Sequence, residues 1–186
     1  HAPHSLTLHA MTSNEWNARS LDTQRFIELA GGIRLQTPLT DLSRVLEVCT
    51  DTAAVSTIPA CDWSLDGQIR GEGARLQHWM HLQATLSLPQ TCQRCLDAMP
   101  VAVQVDRRFR FVADEATALA EDDDCEEDLL AMSSEFDALN LLEDELLLAM
   151  PLIISHADCQ PPASMALIDD LPHPFAALAG WKTQKS

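Results

Sequence analysis

Gln77-His78-Trp79-Met80-His81-Leu82-Gln83-Ala84-Thr85-Leu86-Ser87-Leu88 alternates apolar with polar residues almost without interruption until Pro89. Extended chain points successive side chains to opposite faces, so Met80, Leu82, Ala84, Leu86 and Leu88 share one side while Trp79, His81, Gln83, Thr85 and Ser87 share the other. The first set is a core face. Residues 101–112 repeat the device, with Val101, Val103 and Val105 followed by Phe109 and Phe111. The short connection from Pro89 to Pro100 makes the two runs an antiparallel pair. The fold class that follows is α+β, an antiparallel β-sheet packed against helices.

Upstream, Leu21 to Ala30 suits a short helix stopped by Gly31-Gly32. Ile33-Arg34-Leu35-Gln36 reads as extended up to Pro38, and Leu39 to Val48 as a helix capped by Thr40 or Asp41. From Ala60 the period returns to two, through Trp63, Leu65 and, after Gly67, Ile69. Downstream, residues 113–132 read as a solvated acidic loop. Ser133-Ser134 then offers a cap for a helix Ser134–Ala149, which ends before Pro151 and sets Phe136, Leu139, Leu142 and Leu146 at helical spacing against the sheet. In that reading Glu143 and Asp144 stay exposed, because the segment contains no base to pair them.

The domain organisation expected is a single α+β domain over 11–160 and an extended C-terminal tail over 161–186. Residues 1–10 are set aside as a leader or a foreign extension, with Met11 as the natural start. No run reaches the roughly 20 apolar residues that span a bilayer, and residues 1–10 lack the basic and apolar regions of a signal peptide. The expectation is a soluble, cytoplasmic protein without a membrane partner.

Charge is divided unevenly. The chain carries a net charge of −16, yet residues 1–110 hold eleven acids against ten bases, whereas Phe111 to Trp181 holds seventeen acids and no Lys or Arg. Such a surface repels phosphate backbones and attracts basic proteins. The acids that would meet a partner are Glu121, Asp122, Asp123, Asp124, Glu126, Glu127 and Asp128, with Glu143 and Asp144 on the following helix. The block lacks the Asp-x-Asp-x-Asp-Gly pattern of a calcium loop, so a solvated segment is the better reading than a cation site.

Six cysteines in a chain without a secretory signal point to reduced thiols or a metal rather than to a disulfide framework. Cys92-x2-Cys95 lies between the two alternating strands, and His156-x2-Cys159 just past the long helix. Each spacing lets two side chains converge on one ion, so Cys92, Cys95, His156 and Cys159 form a candidate structural zinc site. The plain alternative is a pair of reduced turn cysteines beside a surface histidine. A thioredoxin-like thiol role would want the motif at a helix start in a βαβ setting, which this position does not offer. No Gly-rich phosphate loop, nucleophile elbow or supported carboxylate pair is present, which disfavours an enzyme.

Leu88-Pro89-Gln90-Thr91-Cys92-Gln93-Arg94-Cys95-Leu96, then Leu141 to Leu152 with its Glu143-Asp144-Glu145 core, then His156-Ala157-Asp158-Cys159 and the closing Pro174-Phe175-Ala176-Ala177-Leu178-Ala179 together resemble the YceD-like family, named for large ribosomal RNA subunit accumulation. The resemblance runs from about Met11 to Lys185. Asn140 stands where that family would have an acid. The resemblance implies a bacterial cytoplasmic factor needed for normal levels of large-subunit ribosomal RNA, without an assigned enzymatic activity. Genes of the family lie beside one for a small large-subunit ribosomal protein, which makes a basic ribosomal protein or assembly factor the natural partner class. Two rivals stand beside that reading: a direct RNA-binding factor using Arg107, Arg108 and Arg110, with Arg94, and a metal- or thiol-dependent enzyme using the Cys-x2-Cys motif.

Overall fold

The computed structural model describes residues 16–49, 58–73, 76–121 and 125–162. Within them the order is α1 (Thr23–Glu28), β1 (Gly32–Thr37), a 3-10 turn at Leu39–Asp41, α2 (Ser43–Glu47), β2 (Cys61–Arg70), β3 (Gln77–Thr91), β4 (Ala98–Val112), α3 (Glu115–Glu121), β5 (Asp128–Ala131) and α4 (Ala138–Leu148). The strands form one sheet in the order β1-β2-β3-β4-β5. Every pairing is antiparallel except the last, in which β5 runs parallel to β4. The α+β class expected from the alternating runs is the one observed. No helix of the described residues is long and apolar enough to cross a membrane.

The register explains why one face is core. Leu65 lies opposite Leu82, Trp63 opposite Ala84 and Ala84 opposite Val105, with Leu86 facing Val103 and Leu88 facing Val101. Each of these side chains is buried, under α1 and α4. The opposite face carries rows such as Arg34, Ser64, Gln83 and Asp106 that form an open surface, and α3 meets this face only at the end of β4, where Glu121 pairs with Arg110. Gly67 does not interrupt β2. A Cβ there would stand 2.9 Å from the Ile27 Cα and the Phe26 carbonyl oxygen, so only glycine lets α1 approach the strand this closely.

Several sequence expectations need correction. β3 and β4 do not stop at their prolines: Pro89 pairs opposite Pro100, and the hairpin turn narrows to Cys92–Asp97. The two prolines are accommodated because β2 pairs with β3 only as far as Thr85 and β5 meets β4 only beyond Phe109, so neither missing N–H is owed to an outer strand. The helix expected from Leu39 to Val48 is instead the 3-10 turn followed by α2, and neither Thr40 nor Asp41 caps it.

The helix expected from Ser134 begins at Ala138, with Asp137 as its cap accepting from the Leu139 and Asn140 N–H groups. Residues 133–136 are held out of the helix instead, bending at Ser134 and Glu135, because Leu21 and Phe136 exchange backbone hydrogen bonds and Thr23 N–H donates to the Ser133 carbonyl. Phe136 meets Phe111 edge-on at 5.6 Å rather than heading the helix, while Leu139, Leu142 and Leu146 are buried as the spacing requires.

The segment read as an acidic loop over 113–132 is not loop throughout. It supplies α3 and β5, since a parallel strand beside β4 can be reached only by a crossover, and α3 is part of that crossover. The tail expected over 161–186 lies, from residue 163, outside the described residues, as do residues 1–15.

Candidate metal centre and acidic edge

The hairpin tip is built by local hydrogen bonding. Cys92 N–H donates to the Asp97 carbonyl at 2.9 Å and Leu96 N–H to the Cys92 carbonyl at 3.0 Å, which closes the turn. Leu96 carries φ 65, in the left-handed region that glycine favours, so the tip holds its shape against a local preference. After α4 the chain runs without regular structure past this tip, and Gln93 N–H donates to the Ile154 carbonyl at 2.8 Å. That contact delivers the second half of the motif to the first.

Cys92 Sγ and Cys159 Sγ lie 3.7 Å apart, and Cys95 Sγ lies 3.3 Å from His156 Nδ1. All four ligand atoms fall within 4.8 Å of one another. Tetrahedral bonds of ~2.3 Å to sulfur and ~2.0 Å to nitrogen require edges of about 3.5–3.8 Å, so the pairs just named already fit and the widest separation closes by about 1 Å on an ion. The Arg94 and Cys95 N–H groups point at Cys92 Sγ from 3.4 and 3.5 Å. These donors suit a thiolate. The Cys95 N–H first, then those of His156 and Arg94, bring the Cys92 thiol down to about 5, against the opposing effect of burial. At Cys95 the Asp97 N–H pulls the thiol down, but burial and the hydrogen bonds of Cys92 and Cys159 outweigh it and hold it up at about 11. The four side chains can hold a metal ion.

The acidic residues behave differently, because the structure spreads them. Glu121 pairs with Arg110 at 2.8 Å, and Asp128 with Arg107 at 2.5 Å. Glu126 and Glu127 are exposed, and Asp122, Asp123 and Asp124 lie outside the described residues. Asp144, half exposed, pairs with Arg44 at 2.5 Å. Glu143, expected on the exposed face of the helix, is buried: its carboxylate accepts from the Arg44 N–H at 2.7 Å and so caps α2, which has no side-chain cap of its own. The segment holds no base, yet its carboxylate is not left to solvent. A helix N-terminus elsewhere in the fold supplied the positive partner.

Glu145 was missed altogether. It is buried, 3.3 Å from Arg107 Nε, and burial raises its carboxyl above the ordinary range despite that arginine. A signal existed: Arg107 has the same strand parity as Val105 and Phe109, and a base on an apolar face calls for an acid from the element packed on it.

Fold and cluster together define a small α+β protein whose longest hairpin is fastened at its tip to the segment following α4. The sequence matches, over residues 80–180, the family described as large ribosomal RNA subunit accumulation protein YceD, and the chain belongs to that family. The matched region begins on β3 and contains both halves of the Cys/His cluster together with α4. No curated protein and no solved structure matches the chain.

Proposed function

We propose that the chain is a non-enzymatic, cytoplasmic ribosome biogenesis factor that supports accumulation of large-subunit ribosomal RNA by binding a basic ribosomal protein or assembly factor. The observation that carries this reading is the state of the arginines. Arg107 and Arg110, two of the three strand arginines that would grip phosphate, are taken up by Asp128, Glu145 and Glu121. Gripping RNA would require breaking these pairs in a protein already at −16. The uncovered sheet face supports the same choice: its row Gln36, Asp62, Thr85 and Gln104 offers amides, a hydroxyl and a carboxylate, and its aromatic rings, Trp79 and His81, are taken up by Arg70 and Asp106 rather than presented to stack on unpaired bases.

The metal in this reading is zinc, and its role is structural. Three cysteines and a histidine are a soft, closed donor set that leaves no position for a substrate or an activated water. Its work is to hold the segment after α4 against the hairpin tip.

The test offers the same preparation large-subunit ribosomal RNA and, separately, the basic proteins of the large subunit. Binding to a protein that weakens with salt, and falls when the acids of 121–128 are neutralised, supports the proposal. Tight RNA binding that survives neutralisation of those acids but fails in Arg107→Glu or Arg110→Glu overturns it in favour of direct RNA recognition.

A further inference from the structure

Between α4 and the short edge strand β5 the sheet is left incompletely covered. A groove of about 490 Å³ opens there, floored by Phe109, Leu130 and Leu141 and bordered by Leu148. Its existence follows from lengths: β5 has only four residues and packs against α3, while α4 packs towards β3, β4 and α2, so space is left between α4 and β5. Leu148 stands at the lip with 76% of its surface exposed, an unusual place for a large apolar side chain at the end of an otherwise well-buried helix. The rim is charged. Asp128, Asp144 and Glu145 line it, and the exposed Glu126 and Glu127 directly precede Asp128. Against these five acids stand two bases, Arg44 and Arg107, each already engaged with rim carboxylates.

We propose that this groove is the docking site for a lysine- or arginine-rich segment of a partner protein, which inserts one or two large apolar side chains beside Leu148 and places its bases on the acidic rim. The inference rests on the function proposed above and adds where on the molecule the partner sits. An apolar floor supplies affinity through desolvation, and a rim of excess negative charge selects a basic occupant and repels an acidic one. Arg44 and Arg107 make the site selective rather than merely attractive. They hold Asp144, Asp128 and Glu145 in fixed positions, so an incoming base meets carboxylates already oriented, each with oxygen lone pairs to spare.

The experiment measures binding of the full chain to two probes, the basic proteins stripped from purified large ribosomal subunits and the ribosomal RNA that remains. Wild type is compared with Leu148→Lys in the groove and with Thr85→Lys on the uncovered sheet face, both at exposed positions, so the added charge is equal and the fold is kept. The expected result is protein binding that Leu148→Lys weakens by about tenfold or more, as for an apolar anchor at an interface centre, while Thr85→Lys changes it less than about twofold. Equal weakening by both variants, or by neither, overturns the groove and leaves the basic-partner reading standing. Failure of wild type to bind any basic protein overturns both.

Discussion

The hairpin tip and the acidic edge both announce themselves in the sequence by an unusual run of residues, yet the fold treats them in opposite ways. At the tip, Cys92, Cys95, His156 and Cys159, drawn from two places 61 and more residues apart, are brought within 4.8 Å of one another. At the edge, acids that are neighbours in sequence are sent to different tasks: Glu143 caps α2, Glu145 and Asp128 hold Arg107, Asp144 meets Arg44, and Glu126 and Glu127 remain exposed. The difference is chemical. Soft ligands in two x2 pairs have one worthwhile common partner, an ion, whereas a carboxylate is satisfied equally well by an arginine, a helix N-terminus or water. Spacing therefore predicted convergence, whereas charge density did not predict which partner each acid would take.

The comparison supposes that both regions hang on one core, and the largest expected effect tests that. Leu142 is fully buried in α4, so Leu142→Ala is expected to cost roughly 2–5 kcal/mol in denaturant unfolding. A cost below that range would mean α4 is not the element on which the tip and the edge both depend. Next comes the carboxylate taken from the surface into the fold. Glu143→Ala removes the cap from α2 and leaves its first N–H groups unmet, and should destabilise by about 1–3 kcal/mol. Glu126→Ala, at an exposed position, should change stability by less than about 0.5 kcal/mol. Equal effects would erase the distinction between absorbed and free acids.

The smallest effect is a change in pH dependence. Burial holds the Glu145 carboxyl above its ordinary range, so between the ordinary and the raised value the folded chain keeps a proton that the unfolded chain has released. Stability then falls as pH rises through that window, and the ionised group is a net cost at neutral pH. Glu145→Gln is expected to remove that slope and to raise stability at neutral pH by up to about 1 kcal/mol. A loss on substitution would show that the Arg107 pair outweighs burial.

How far the sequence could be read follows the same division. The strands and their faces were legible because Met80, Leu82, Ala84, Leu86 and Leu88 keep one parity and Val101, Val103 and Val105 repeat it, and a period of two admits few alternatives. The convergence of Cys92, Cys95, His156 and Cys159 was legible from spacing alone. β5 was hidden because Asp128-Leu129-Leu130-Ala131 is too short to show alternation and lies within acids that dominate composition, although its adjacent leucines mark a departure from a solvated loop. The start of α4 was misplaced because Ser133 and Ser134 are capping residues by type, and the hydrogen bonds between Leu21 and Phe136 that hold this stretch out of the helix come from more than a hundred positions away. Glu143 and Glu145 were unreadable for that reason too: their partners Arg44 and Arg107 lie on other elements, and only the assembled fold pairs them.

The central claim is that the tip is a closed metal centre, and its direct measurement is the metal content of protein purified without chelator, taken beside that of Cys159→Ser. The account predicts about one zinc per chain in the wild type, retained through gel filtration, and its loss in Cys159→Ser, with hydrogen exchange rising at residues 150–159 while β2, β3 and β4 stay protected. Wild-type protein that is metal-free as purified and takes up no zinc on titration would contradict it.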